Sequence, residues 1–451
     1  MKTMHKIILG FVAVIAIAVL AAAIYWFSMP SELRNMITWM IFPGPSYENH
    51  QEYQTIERNA SPLLTTSFEP VVATTTGNDY NSNITVITEM VQNDKSKMVK
   101  KARVQPNGAA DYPGWQLIAD EGFEEGVDTF GPSPLSYLTT GTAANLHTQI
   151  LRAAEVLDVE LDNVKVEVLN TFRWDNMTSA EGAGFLDETH TNIIIESNES
   201  EETIGNLIEV ALNAWTAGEA LGNETVIEPA LVVNGENWEN YRATPGTTLG
   251  NESYVDGLRI SYITGEPKQS DYLEQSAEEV GETGFNFDGV NNMEFEILAI
   301  SESAEDPDRP YLKKVTVSFN TADSETWELY ADELYGTEGT PKAPTSLEYL
   351  TSGTALCLTS QLTLVSAQMN LDYTDFRVEQ QIDYREEDVN SSAMAGYADT
   401  VHTSVLVESD ESQERLDQFF QKSLSLCFAG EGFKGATDMV THSYLNGEEI
   451  R

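Results

Sequence analysis

The sequence predicts an α+β protein built of two like domains and preceded by one transmembrane helix. Three observations carry this expectation. Ile7 to Phe27 is an apolar run without a charge. Much of the rest repeats itself at a fixed offset of 212 residues. Within each half the order is the same: alternating segments, a long apolar segment, more alternating segments, then an amphipathic one.

At 1.5 Å per residue the N-terminal run spans roughly 30 Å, about a bilayer core. Lys2 and Lys6 precede it; Arg34 and then a long acidic stretch follow. The positive-inside rule leaves the N-terminus in the cytoplasm and the bulk of the chain outside, periplasmic or extracellular. Tyr25 and Trp26 suit an interfacial belt. The competing reading is a cleaved signal peptide, with the alanines at 21–23 as cleavage context. Met36–Phe42 is too short to span and suits an interface, and Gly44–Thr76 reads as a polar linker. The expected divisions are an anchor over 1–28, a juxtamembrane segment and linker over 29–78, and domains over 79–245 and 246–451.

The chain has 451 residues, with 72 Asp and Glu against 25 Lys and Arg, a formal charge of −47. No basic stripe exists to meet a phosphate backbone, which argues against nucleic acid as a partner. The hydrophobic fraction of 41% is that of a folded protein. With two cysteines the chain is neither a disulfide-rich scaffold nor a cysteine zinc finger. So acidic a surface repels itself unless ions screen it, which suits salty surroundings or simply a solvated acidic face.

The repeat is read directly. Pro134-Leu-Ser-Tyr-Leu-Thr-Thr-Gly-Thr-Ala-Ala-Asn145 matches Ser346-Leu-Glu-Tyr-Leu-Thr-Ser-Gly-Thr-Ala-Leu-Cys357. The same offset pairs Trp115–Glu121 with Trp327–Glu333, Gln149 with Gln361, Arg173 with Arg385, Gly184 with Gly396 and His190 with His402. Two copies of one domain in a chain read as a covalent pseudo-dimer. Ile84–Val91 and Lys314–Phe319 alternate as strands do. The segments from 134 to about 156 and from 346 to about 369 are long enough for buried helices. Val164–Leu169, Phe376–Ile382, Thr191–Glu196 and Thr403–Glu408 alternate again. Amphipathic helices follow near 200–217 and 412–429, with Asn198 and Asp410 before their acidic first turns.

Cys357 falls mid-helix and Cys427 near the end of the last helix; their counterparts in the first half are Asn145 and Trp215. Both cysteines are present in one half and absent from the other. Three readings are open: a structural disulfide in an oxidising compartment, two buried free thiols, or a redox pair passing through a sulfenic acid to a disulfide.

Here the residues resemble a family. Gly131-Pro-Ser-Pro-Leu-Ser-Tyr-Leu, and Ser346-Leu-Glu-Tyr-Leu with Gly353-Thr-Ala-Leu-Cys357, are similar to the central-helix motif of the OsmC/Ohr family. Cys427, following the strand that ends Val407-Glu-Ser-Asp410, is similar to that family's second cysteine. The resemblance covers roughly 80–225 and 290–435. It implies an α+β fold in which two strand layers wrap around two central helices, with sites at the interface of the two halves. It also implies a thiol peroxidase that reduces organic hydroperoxides, with Cys357 peroxidatic and Cys427 resolving. No bound cofactor is expected. The partners would be a small hydroperoxide and an external thiol or dithiol reductant. A cation should favour the thiolate; the family position points to Arg103 in the first half or Arg309 in the second, beside Lys313 and Lys314. Glu348 matches the orienting carboxylate, although nine residues turn an ideal helix by about 180° away from Cys357. The family often has Pro after its second Cys, where this chain has Phe428.

The alternative is a non-catalytic OsmC-like module that binds a small apolar ligand or a partner, its cysteines a structural disulfide or idle thiols. Of the remaining positions, His190 and His402 suit structural hydrogen bonds. Gln149 and Gln361 suit a pairing with each other. Gly141 and Gly353 suit a close helix approach.

Overall fold

The computed structural model describes residues 79–93, 98–106, 114–121, 130–234, 292–320, 326–333, 341–372, 375–435 and 437–450, with isolated residues and short strands elsewhere. Strands β1 (Ile56–Asn59), β2 (Thr74–Thr76), β3 (Asp79–Asn93), β4 (Met98–Pro106) and β5 (Gly114–Ala119) lead into helix α1 (Pro134–Leu157). Then come β6 (Asn163–Asp175), β7 (Ala183–Glu196), α2 (Glu201–Asn213), α3 (Thr216–Gly222) and β8 (Val226–Val233). The second half runs β9 (Tyr254–Val255), β10 (Ser261–Ile263), β11 (Phe285–Phe287), β12 (Met293–Ser303), β13 (Leu312–Phe319) and β14 (Thr326–Asp332). It continues with α4 (Ser346–Met369), β15 (Asp375–Glu387), β16 (Ala395–Glu408), α5 (Gln413–Ser425), α6 (Phe428–Gly432), β17 (Asp438–Leu445) and β18 (Glu448–Glu449).

The strands form two mixed sheets, each drawing on both halves of the chain. One has the order β8-β16-β15-β3-β4-β5-β1-β9, the other β10-β14-β13-β12-β6-β7-β17-β18. The joins between halves are antiparallel, β3 on β15 with Ile84 opposite Ile382, and β6 on β12 with Asn170 opposite Ile297. β8 and β17 add in parallel to β16 and β7. Helix α4 lies on β3, β4 and β15, α1 lies on β6, β12 and β13, and the two helices pack on each other. The fold is thus α+β, with two helices between two sheets.

Helices α1 and α4 are buried almost all round, which is why no amphipathic stripe marks them. Most of their threonines satisfy themselves. Thr139, Thr142 and Thr148 donate to the carbonyls four residues back, as do Thr351, Thr354, Thr359 and Thr363. Ser133 caps α1, and Thr345 with Glu348 forms a reciprocal capping box on α4. The helices meet at Gly141 and Gly353. A Cβ on Gly141 would stand 2.5 Å from the Leu350 nitrogen, and one on Gly353 2.5 Å from the Leu138 nitrogen. Tyr137 and Tyr349 stack across this contact at 5.8 Å, their hydroxyls donating to the Ile118 and Tyr330 carbonyls.

Four expectations need correction. β1 and β2 fall within the stretch read as linker; β1 pairs with β5, and so short a strand leaves no periodicity to read. Ser200 and Ser412 cap the last helices in place of Asn198 and Asp410, because their hydroxyls reach the amides of Thr203 and Arg415. Each last helix is also two. The first break comes at Ala214 and the second at Leu426, whose carbonyl accepts from Trp174 Nε1 at 3.1 Å. Gly184 and Gly396 make room for these breaks: a Cβ there would stand 2.5 Å from the Leu426 carbonyl oxygen or 2.6 Å from that of Ala214. Gln149 does not pair with Gln361. It donates to Glu386 and accepts from Arg152, and Arg152 bridges to Glu386 at 3.0 Å.

The expected membrane helix over Ile7–Phe27 lies outside the described residues apart from Trp26. No helix among the described residues is long and apolar enough to cross a membrane.

Candidate functional site

The break between α5 and α6 places Cys427 just past the end of α5, at the N-cap of α6, and turns it onto α4. Cys427 Sγ–H donates to Cys357 Sγ at 3.5 Å. That exceeds the disulfide length of about 2.05 Å, so the two are thiols in contact. Both are almost completely buried, 1% and 3% exposed. The Gly430 amide donates to Cys427 Sγ at 3.4 Å, and the Ala429 amide bears on Cys357 Sγ. Burial pushes the Cys357 thiol well above its ordinary range, and the Cys427 thiol pushes it further. The Ala429 amide pulls the other way, and the Glu121 carboxylate adds to the rise.

Glu121 follows β5 and reaches the helix turn that carries Cys357. Its Oε2 accepts from Ser360 Oγ and from Lys100 Nζ, the latter at 2.6 Å. The Lys100 side chain is fully buried. An aromatic cluster gathers around the residue that follows Cys427. Phe428, next to Cys427, lies 4.7 Å from Trp174, 5.8 Å from Phe172 and 5.5 Å from Phe295, ring centre to ring centre.

The other residues singled out in the sequence stand elsewhere. Arg103 alternates on β4 with Ala102 and Val104, which belong to the core that holds Cys357. A strand's side chains alternate, so Arg103 points to the opposite face. Arg309 precedes β13 in the other sheet and pairs with Asp332 at 2.7 Å. Glu348 Oε2 accepts from the Thr345 amide at 2.7 Å, closing its own helix cap about two and a half turns before Cys357. The helix therefore carries Cys357 and Glu348 on opposite sides. The structure brings Cys357 and Cys427 together and leaves Arg103, Arg309 and Glu348 apart from them. The charged pair it does bring is Lys100 with Glu121. The repeat marked Glu121, but only as an element of the match, and nothing in the sequence marked Lys100.

Asn145 and Trp215 hold the corresponding place in the first half. Asn145 Oδ1 accepts from the Ala217 amide at 3.0 Å, its Nδ2 donates to Ser346 Oγ, and Trp215 Nε1 donates to the Thr142 carbonyl. That place holds no thiol.

This constellation of helix, strands, helix break and two thiols falls within one stretch with a known pattern. Residues 339–441 match the family model described as OsmC-like protein. The OsmC-like stretch runs from before α4 into β17 and holds both cysteines. Among solved structures the chain is similar to an OsmC-like hydroperoxide resistance protein from Jannaschia sp. CCS1. The identity is 15%, over 30% of this chain and 83% of that one, with a TM-score of 0.19. No curated protein matches. Among the described residues no group of three or more His, Cys, Asp or Glu is placed to hold a metal ion.

Proposed function

We propose that this chain is a thiol-dependent peroxidase that reduces organic hydroperoxides, with Cys357 peroxidatic and Cys427 resolving. The observation that carries the reading is the 3.5 Å contact between the two sulfurs inside the OsmC-like stretch. The Cys357 thiolate attacks the outer oxygen of the hydroperoxide; an S–O bond forms, the O–O bond breaks, and the alkoxide takes a proton and leaves as alcohol. Cys427 then attacks the sulfenic sulfur, the S–O bond breaks, and water leaves as the disulfide forms. An external thiol or dithiol supplies two electrons to reopen it. No resident cofactor takes part. The aromatic cluster of Phe428, Trp174, Phe172 and Phe295 favours an apolar substituent on the hydroperoxide.

We also infer that the chain is a tandem pair of OsmC-like domains, joined as an intramolecular pseudo-dimer with one thiol site. Support comes from residues 212 apart in like settings: Tyr137 with Tyr349, Ala217 with Ala429, Gly141 with Gly353. The charge distribution around Ile7–Phe27 supports a membrane anchor with the globular part outside the cytoplasm.

The test uses the reduced chain, one equivalent of an organic hydroperoxide, and mass-tag counting of free thiols. Loss of both thiols within seconds, abolished in Cys357→Ser, supports the peroxidase. Thiols that survive the hydroperoxide favour the non-catalytic module, which the deep burial of both sulfurs would also suit.

A further inference from the structure

Gln361 lies one helical turn after Cys357 on α4 and shares its face. Long helical side chains lean toward the N-terminus, so the Gln361 carboxamide leans back over the turn of Cys357. The residue is 2% exposed, and its Oε1 has no hydrogen-bond partner among the described residues. An unpaired buried oxygen is costly to a fold and calls for a partner that the chain does not supply.

Gln149, 212 residues earlier, is closed on both sides. Its Nε2 donates to Glu386 Oε1 and its Oε1 accepts from Arg152 Nη1, both at 3.0 Å. At the same offset Glu386 falls on Trp174 and Arg152 on Leu364. The strands keep step there, since the irregularity of β6 between Thr171 and Phe172 recurs in β15 between Asp383 and Tyr384. Trp174 and Leu364 belong to the core, and the indole N–H of Trp174 donates to the Leu426 carbonyl. The nearby hydroxyls of α4 are also committed: Ser360 donates to Glu121, Thr354 to the Leu350 carbonyl and Thr363 to the Thr359 carbonyl. An acid and a base close the glutamine of the half without cysteines. Apolar residues hold their places in the half with the thiols, and the oxygen of Gln361 stays open.

We propose that Gln361 Oε1 is the acceptor that holds the terminal O–H of the hydroperoxide against Cys357. The proposal rests on the peroxidase reading and adds to it a residue that touches the substrate. An organic hydroperoxide donates a hydrogen bond from its outer oxygen only. An acceptor one turn from the sulfur therefore brings the outer oxygen, not the inner one, to the thiolate. The thiolate attacks that oxygen, the S–O bond forms and the O–O bond breaks. The alkoxide takes up a proton and leaves as alcohol. The hydrogen that Gln361 holds stays on the oxygen that becomes the sulfenic hydroxyl, so one acceptor serves substrate and product alike.

The experiment compares the reduced full chain with Gln361→Met, which keeps the size of the side chain and removes its acceptor. Peptide mass spectrometry follows Cys357 against two neutral probes. One is tert-butyl hydroperoxide, which has an O–H; the other is methyl methanethiosulfonate, which has no hydrogen-bond donor. Gln361→Met should slow the hydroperoxide about tenfold, as loss of one hydrogen bond in the transition state does, and leave the thiosulfonate rate within about twofold. Exchanging an unpaired buried polar group for an apolar one of its size should hold or raise the melting temperature. Gln149→Met, which breaks the closure by Glu386 and Arg152, should do the reverse, with a lower melting temperature and the parent's hydroperoxide rate. Gln361→Leu serves as a second apolar variant. Parent rates in the Gln361 variants, equal slowing of both probes, or slowing that comes with a lower melting temperature each overturn the proposal. A parent chain that the hydroperoxide leaves untouched ends the peroxidase reading and this proposal with it. A parent that reacts, with the Gln361 variants reacting alike, ends the proposal alone.

Discussion

Asn145 and Cys357 take the same backbone contact in the two halves of the molecule. The Ala217 amide donates to Asn145 Oδ1 at 3.0 Å, and the Ala429 amide bears on Cys357 Sγ. A carboxamide thus does structurally in one half what a thiol does in the other. Asn145→Ala should orphan the Ala217 amide and cost about 1–3 kcal/mol in urea unfolding. Cys357→Ser keeps an acceptor there and should cost less. Equal losses in the two variants would break the correspondence.

The helix crossing tolerates no side chain at Gly353. Gly353→Ala sets a Cβ against the Leu138 backbone at 2.5 Å and should destabilise by about 1–3 kcal/mol or more through overpacking. Gly205, inside α2, has open space around it; Gly205→Ala should gain roughly 0.5–1 kcal/mol from helix propensity. Thermal unfolding of the two variants should move in opposite directions.

Cys427→Ser separates the two chemical steps. Cys357 should still react with hydroperoxide but stop at the sulfenic acid, trapped by a 1,3-diketone probe, and no disulfide should form. Because the Cys357 thiol is pushed up, its oxidation should quicken as pH rises above neutral. A rate that is flat from pH 7 to 10 would contradict this.

Acid should unfold the protein partly through His147. It is fully buried between Ser301 and Ser303, and burial first, then Lys313, lowers its pKa from 6.5 to about 3. The folded value is the depressed one, so the unfolded chain takes up the proton first. The contribution to stability is complete above pH 6.5 and is lost as pH falls toward 3, by at most about 1.4 kcal/mol per unit. In His147→Gln, urea unfolding free energies should fall less steeply between pH 6.5 and 4 than in the parent. Parallel slopes would remove His147 from the account.

The α+β class, the two long central helices and the place of Cys357 within the second of them were legible in the sequence. They rest on local pattern, on a repeat of fixed offset, and on residue types that the chain uses sparingly. What the cysteines have beside them was not legible. Spacing along the chain pointed to Arg103, Arg309 and Glu348. Strand alternation carried Arg103 to the other face, Arg309 found Asp332, and Glu348 closed its own helix cap. Glu121, with Lys100 bonded to it, reaches the helix turn of Cys357 because β4 lies on α4 and Ser360 bonds the carboxylate, a contact between segments more than 200 residues apart. The break that turns Cys427 toward Cys357 was likewise decided at a distance, by Trp174 bonding the Leu426 carbonyl and by Gly184 leaving it room. A sequence displays the period of its side chains; which charge stands beside a buried thiol is decided when the sheets close over the helices.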